Sequence, residues 1–372
     1  MARSPNIVEI DLGSIIHNLN QVKRLLDPKT MIMGIVKSDA YGHGLLQVSK
    51  LLEENGVHSL GVAHLHEALE LRKTGIKLPI VILCGIRSRE DAKETVYNYL
   101  TPVVFNLHSA ELLAKEAARK GKRVDIHLKI DTGMGRLGIN HKDAGPFMKK
   151  IMEYPSLNLQ ALMSHLSSAE DPDSGFTGDQ IGNFKSAIDA GHAMGLDLPF
   201  NNLANSAGIM AHKSSHFNMV RPGIMLYGGL PSPEFHPPSA LKPVMGFRGQ
   251  VLQIRDFKDN IPVSYGRKYY TEGPKKIAVV SAGYGDGVPR SMSNRGKVLI
   301  AGEKVSIVGT VCMNMIMCDI TGISDVMPGD EAVFLGSQGD KTITGDDMAE
   351  WSDTISYEIF LSIGQRAIKE YL

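Results

Sequence analysis

Three cysteines, no excess of either charge and no long apolar run remove several classes of protein at once. Cys84, Cys312 and Cys318 are too few for a disulfide framework, and no C-x-x-C pair exists. Reduced thiols fit this usage, and Cys84, inside the apolar run VILCG, reads as a core thiol. Lys and Arg number 40 and Asp and Glu number 40, without runs of one sign, so neither nucleic acid nor an anionic membrane is favoured as a partner. No apolar stretch reaches about 18 residues, which argues against a membrane span. The opening MARSPNIVEIDLGSI has no apolar segment after its charge, so we expect no leader and a cytoplasmic location. The histidines lack metal-ligand spacing. GYGDG (283–287) is not followed by Gly-Lys-Ser/Thr and reads as a turn. There is no solenoid repeat and no low-complexity segment.

What is present is enough apolar side chain, 43% of 372 residues, for a large barrel and a second unit. Strand candidates recur at 31–37, 58–64, 79–85, 100–106, 124–130, 157–165, 198–204 and 217–228. Amphipathic stretches separate them; HSAELLAKEAARKG carries Leu112, Leu113 and Ala117 at helical spacing. Eight such units over 1–240 predict a (β/α)8 TIM barrel. The alternative, a doubly wound open sheet, does not need eight. Residues 231–243 carry five prolines and read as a linker. Beyond it, runs such as RGQVLQIRDF, KKIAVVSAG and EKVSIVGTVCMNMIMCDI, separated by glycine turns, predict a mainly-β C-terminal domain over 241–372. Met313, Met315 and Met317 alternate along one of these runs and read as core packing. One helix candidate, 345–364, closes the chain.

In a barrel of this kind, chemistry gathers at the C-terminal ends of the strands. Lys37 ends the first strand, Arg136 follows the fifth and His165 ends the sixth. Asn205 and Ser206 follow the seventh, and Arg221 lies in the eighth. All five sites share one rim. A lysine just past a strand is by default solvated, but an amine held in a barrel mouth is partly desolvated, which lowers its pKa and makes it nucleophilic toward a carbonyl. Asn205-Ser206 and the backbone N–H groups of Gly223 and Ile224 could bind phosphate at the last two strands. A Schiff-base lysine beside a phosphate site points to pyridoxal 5'-phosphate.

VKSDAYGHG, KIDTGMGRLG, ANSAG, VRPGIMLYG, VSYGRKY, GYGDG, GTVCMNM and SYE, in this order from about residue 7 to the C-terminus, together resemble the alanine racemases, fold-type III pyridoxal phosphate enzymes. The resemblance implies a homodimer whose active sites are shared between chains, a two-base interconversion of L- and D-alanine, and supply of D-alanine for peptidoglycan. By it, Lys37 holds the cofactor covalently and is the base on the D-alanine face; Tyr265, from the partner chain, is the opposite base. Tyr41, Asn205, Ser206, Gly223, Ile224 and Tyr357 bind the phosphate. Arg221 meets the pyridine nitrogen, and His165 links it to Tyr265. Arg136 and Met313 contact substrate, and Tyr284 lines the entrance. Lys129 aligns with a lysine that is carbamylated in some relatives, where it orients the counterpart of Arg136.

The chain departs from the family pattern in Asn314-Met315, where Asp-Gln is usual, in MSHLSSAED, and in the ending SIGQRAIKEY. These bear on substrate breadth and rate more than on reaction type. Two other readings stand beside the first: a broad-specificity amino-acid racemase on the same scaffold, and a non-catalytic pyridoxal phosphate carrier, against which residues 244–372 count.

Overall fold

The computed structural model describes residues 6–171, 175–232, 235–238, 240–366 and 368–372. Strands Met31–Ile35, Ser59–Val62, Ile80–Ile82, Thr101–Val104, Val124–Asp131 and Leu157–Met163 pair in parallel and in chain order. Met219–Val220 pairs back onto the first of them, and Asn202 bridges Met163 to Met219. The ring closes, so the expected parallel barrel is present. The short strands Ser59–Val62, Ile80–Ile82 and Thr101–Val104 are buried along their whole length, as burial on both faces requires, while Val124–Asp131 and Leu157–Met163 also carry polar residues such as Asp125 and Asn158. Helices alternate with them; in Leu107–Arg119, Ala110, Leu113, Ala114 and Ala117 face the core, and Asn106 caps the start by accepting from Ser109 N–H at 2.8 Å.

Most strands are shorter than expected, and two fall furthest short. The seventh, expected over 198–204, is a single bridge at Asn202 because the Asn201 side chain takes the ladder position, accepting Leu162 N–H at 2.8 Å. The eighth, expected over 217–228, ends at Val220: Pro222 has no N–H to continue it, and the chain turns into the 3-10 segment Ile224–Tyr227.

The second unit is a closed antiparallel barrel. Met245–Phe257, Lys275–Ser281, Met315–Asp319, Glu303–Ile307, Lys297–Ile300 and Glu331–Gln338 pair in that spatial order, and the last returns to the first. Bulges in Met245–Phe257 bend it enough to serve several neighbours. Phe247 and Phe334 meet inside, with ring centroids 5.2 Å apart. The sheet is extended by both chain ends. Ile7–Ile10, which falls within the span 1–240 read as the first unit, pairs antiparallel with Met245–Phe257, and Ile368–Tyr371 pairs with it in turn. Its alternation, Val8 and Ile10 buried and Ile7 and Glu9 half-buried, suits a one-faced antiparallel sheet rather than the barrel wall.

Four local expectations are corrected. The single closing helix is two, Gly345–Ser352 and Ser356–Gly364, broken where Asp353 takes a left-handed φ of 57°. EKVSIVGTVCMNMIMCDI divides into Glu303–Ile307 and Met315–Asp319 because Gly309, φ 79°, turns the chain between them. Met313 and Met315 are consequently exposed rather than in a core. Cys84 is exposed too: the barrel strand ends at Ile82, and Gly85, φ 67°, turns the chain at the rim. Residues 233, 234 and 239 of the proline-rich segment lie outside the described residues. Among the described residues, no helix is long and apolar enough to cross a membrane.

Candidate active site

The first barrel strand delivers Lys37 into an unusual turn. Ser38, Asp39, Ala40 and Tyr41 have φ of 54°, 56°, 52° and 55°, and Gly42 follows at 82°. Left-handed backbone costs an L-residue about 1–2 kcal/mol, so neighbours must hold four such residues in place. Glu67 Oε1 accepts the Ser38 N–H at 2.5 Å. Asp39 accepts from Leu45 N–H at 2.7 Å and pairs with Lys369 at 2.8 Å, tying the turn to the last strand of the second sheet. His43 Nδ1–H donates to the carbonyls of Ala40 and Tyr41 at 3.1 and 3.0 Å. Gly42 lies against Phe360, where an added Cβ would sit 2.4 Å from a carbonyl oxygen. The turn presents Lys37 at its head and Tyr41 at its foot.

Both open onto a cavity of about 570 Å³ at the C-terminal ends of the barrel strands, a size suited to a small ligand. Lys37, Lys129, Arg136 and Arg221 line it, and among the described residues the lining contains no Asp or Glu. Burial and then Arg136 push the Lys37 ammonium down. Lys129 is pushed well down by burial, with Arg221 and Arg136 adding to the effect. Arg221 is buried and donates to Asn202 Oδ1, Ser164 O and Leu203 O at 2.5, 2.6 and 3.1 Å. Burial and Arg136 bring it to about 9, which leaves it a cation at neutral pH. A guanidinium only donates, so His165 Nδ1, 3.1 Å from Arg221, must accept, and the imidazole proton sits on Nε2. Burial and Arg221 push His165 well down, which keeps that ring neutral. Arg136 arrives on a loop folded back on its own strand: Asp131 accepts the N–H groups of Gly133 and Gly135, and Ile139–Asn140 pairs with Ile130–Asp131.

Neutral donors gather at the other end. Ser206 Oγ accepts the N–H groups of Gly223 and Met225 at 3.0 and 3.4 Å. Asn205 caps the short helix Ser206–Ala211 by accepting Gly208 N–H at 2.9 Å. The rings of Tyr41 and Tyr357 lie 5.8 Å apart. Burial pushes both phenols above their usual range, so each remains an O–H donor. Gly223 must be glycine here, because a Cβ would meet the Tyr41 hydroxyl at 2.5 Å. Hydroxyls at one end, cations at the other and a desolvated amine between them form a donor set that fits a phosphorylated aldehyde. Tyr41, Ser206, Gly223, Ile224 and Tyr357 would take the phosphate, Arg221 the ring, and Lys37 the aldehyde carbon.

Of the fourteen residues named from the sequence, eleven line this cavity. The remaining three do not. Tyr265, Tyr284 and Met313 sit on loops of the β barrel and are 71%, 39% and 57% exposed. Those loops hold one another: Thr310 Oγ1 donates to Tyr265 O at 2.9 Å, and Gly285 N–H to Met313 O at 2.7 Å. Sequence reasoning missed Glu67 and Asn202. An Asn pair in the apolar run LPFNNLA was a signal for Asn202; an acid three residues past His64 signals a helix cap but not a reach to Ser38.

The models of two protein families match the chain: "Alanine racemase, N-terminal domain" over residues 10–231 and "Alanine racemase, C-terminal domain" over residues 244–371. The chain is 40% identical over 364 residues to the alanine racemase of Syntrophobacter fumaroxidans, covering 98% of this chain and 96% of that one. Among solved structures it is similar to the alanine racemase of D-cycloserine-producing Streptomyces lavendulae, with TM-score 0.94 and 31% identity, covering 100% of this chain and 98% of that one. It is also similar to that of Bartonella henselae, described with covalently bound pyridoxal phosphate, with TM-score 0.89 and 29% identity, covering 99% of each.

Proposed function

The chain belongs to the alanine racemase family of pyridoxal phosphate-dependent isomerases, and from that premise we propose that it interconverts L- and D-alanine by two bases on opposite faces of the substrate. The reading is carried by the cavity at the barrel mouth, where two arginines, two desolvated lysines and a set of neutral hydroxyls meet with no Asp or Glu among the described residues of the lining. Pyridoxal phosphate, when bound, supplies a conjugated ring that spreads the charge left as a proton leaves the substrate α-carbon. Lys37 Nζ takes or returns that proton on the D-alanine face. The partner subunit's Tyr265 does so on the L-alanine face. Two bases spare the substrate any rotation between the two transfers.

His165 serves the second base. Its Nδ1 is occupied by Arg221, so Nε2–H is left to donate to a phenolate oxygen, which favours the ionised tyrosine. Arg221 would face the cofactor ring as a cation that keeps its proton, where a carboxylate would instead draw a proton onto the ring. A ring left unprotonated in this way would draw off less charge, which would disfavour transamination. Arg136 orients the substrate carboxylate; Lys129, if carbamylated as in some relatives, would exchange its positive charge for a negative one and orient Arg136. Tyr265, Tyr284 and Met313 lie outside the cavity and in solvent, which supports a homodimer in which each β domain completes the other chain's site. We place this dimer in the cytoplasm, supplying D-alanine for cell-wall peptidoglycan.

Chiral chromatography of L-alanine incubated with the protein and pyridoxal phosphate tests the reading. D-alanine is expected to approach the level of the L isomer. Unchanged L-alanine, with a cofactor-linked Lys37, would refute it. A panel of other L-amino acids in the same assay measures breadth, which the neutral Asn314 and exposed Met315 leave open to larger side chains.

A further inference from the structure

Glu67 is a buried carboxylate to which the proton transfers above assign nothing. It lies in the first turn of helix Leu65–Lys73, and a capping box accounts for part of its placement. Its Oε2 accepts the N–H groups of Ala63 and His64 at 2.8 and 3.0 Å. Capping needs only that oxygen. The other leaves the helix altogether and accepts the N–H of Ser38, 29 residues away, at 2.5 Å. Acceptance through both oxygens is the pattern of an ionised carboxylate.

The bond to Ser38 falls on the peptide that joins it to Lys37. Ser38 is the first of the four non-glycine residues with left-handed φ, so local preference gives that peptide plane no support. Fixing the plane fixes the direction in which Lys37 leaves the backbone. Ser38 and Ala63 line the cavity while Glu67 stands behind them, one layer back. Its charge also reaches the amine. Lys37 is faced by Arg136, Arg221, Lys129, His165 and Cys84, with Tyr41 and Tyr357 across the cavity; Glu67 favours the ammonium that burial and the two arginines oppose.

We infer that Glu67 is a positioning residue for Lys37: its carboxylate locks the Lys37–Ser38 peptide at the head of the left-handed turn and aims the amine into the barrel mouth. The inference rests on the reading of Lys37 as the cofactor-bearing base.

Glu67→Gln and Glu67→Asp test it, with Asp91→Asn as control. Asp91 makes the same capping box on helix Arg89–Tyr97, accepting from Arg87 and Ser88, with no bond to the site. Each cofactor-loaded protein is measured for thermal midpoint, for kcat and KM in both directions, and for the pH titration of the visible absorbance of the lysine–cofactor link. Glu67→Gln is expected to lower the titration midpoint by about one pH unit. It should cut kcat about ten- to a hundredfold both ways, with KM within about twofold. Glu67→Asp keeps the charge but is a methylene short, so it should hold the titration midpoint and still lose kcat; should the glutamine variant fail to fold, this loss carries the test. Asp91→Asn should lower the thermal midpoint alone. If both Glu67 variants behave like Asp91→Asn, the carboxylate is only a cap and the inference fails. A wild-type protein without absorbance linked to Lys37 would instead overturn the reading beneath it.

Discussion

The mouth of the parallel barrel and the loops of the antiparallel barrel carry chemistry in opposite physical states. At the mouth, Arg221 is buried and meets four partners, and the Lys37 turn is held from several sides. On the β loops, Tyr265 puts its ring into solvent, and Met313 beside it is more than half exposed. One region is complete within the chain and electrostatically tuned by its own neighbours. The other is a rigid backbone presenting bare side chains. Burial alone raises a phenol, as it does Tyr41 and Tyr357, so a tyrosine that is to act as a base near neutral pH needs cations and N–H donors beside it, and this chain gathers those at its barrel mouth rather than on the β loops. The difference teaches where the partner of the proposed dimer would come: onto the β loops, bringing a barrel mouth.

Mixing two dead variants gives the largest effect that could break this division. Lys37→Ala should reduce racemisation by about 10³-fold or more, and Tyr265→Phe by about 10²–10⁴-fold, the second without loss of stability because its hydroxyl is exposed. Refolded together, hybrids carry one intact site when Lys37 and Tyr265 come from different chains. Half the dimers with one good site of two should return about a quarter of wild-type activity. If both bases belonged to one chain, mixing would restore nothing, and the exposure of Tyr265 would need another explanation.

Acid separates the same two regions by stability. All 13 histidines precede residue 237, so the β barrel has none. Burial pushes His43 from 6.5 down to about 4, and burial with Arg221 pushes His127 from 6.5 to about 3. Both folded values lie below the unfolded one, so the unfolded chain binds the extra protons between these limits. The stability is present above about pH 6.5 and is lost as pH falls toward 4. At about 1.4 kcal/mol per pH unit, His43 alone accounts for roughly 3 kcal/mol. Hydrogen exchange at pH 7 and pH 5 should show strand Val124–Asp131 losing protection ahead of Lys275–Ser281, and His43→Gln should narrow the gap. Equal loss in both strands would mean that the units unfold as one.

A smaller effect sharpens the description of the mouth. Tyr41→Phe keeps the ring packed on Tyr227, 4.8 Å away, and removes only the hydroxyl aimed at the phosphate end. One charge-assisted hydrogen bond is worth about 1.5–3 kcal/mol, so pyridoxal phosphate affinity should fall about ten- to a hundredfold with kcat nearly intact. Equilibrium dialysis of the apoprotein reads this directly; unchanged affinity would remove Tyr41 from the phosphate site.

The sequence made the mouth more legible than the loops, for a physical reason. A strand buried on both faces leaves an unbroken apolar run, and a polar residue at its end stands out, as Lys37 does after MIMGIV. Reading apolar residues as interior then fails where a turn or a strand end carries them to the surface. Met313 and Met315 alternate like a core stripe and are exposed, and Cys84 looks interior but sits at the rim. Non-local pairings were invisible as well: nothing in IVEI names Met245–Phe257 as its partner. The left-handed turn has no local signal before Gly42, because it is imposed by Glu67, Asp39 and Phe360. The roles of Lys129 and Met313 came from family resemblance alone.

Met315 gives the smallest expected effect and the finest test of where the cover lies. In the single chain its side chain is 41% exposed, beside the exposed Asn314, whose amide reaches Asp286 Oδ2 at 3.4 Å. Surface changes of this kind shift stability by less than about 0.5 kcal/mol, so Met315→Gln should be nearly silent in dilute protein. If a partner covers this strand end, the substitution also forfeits part of a buried methionine, on the order of 1 kcal/mol. That loss appears only where dimers form, so the difference in unfolding midpoint between Met315→Gln and wild type should grow with protein concentration. A difference that stays constant over a hundredfold dilution range, about 2.7 kcal/mol of mass action, would place Met315 outside the interface. It would then confine the contact to the loops of Tyr265, Tyr284 and Met313, leaving the rest of the β face free.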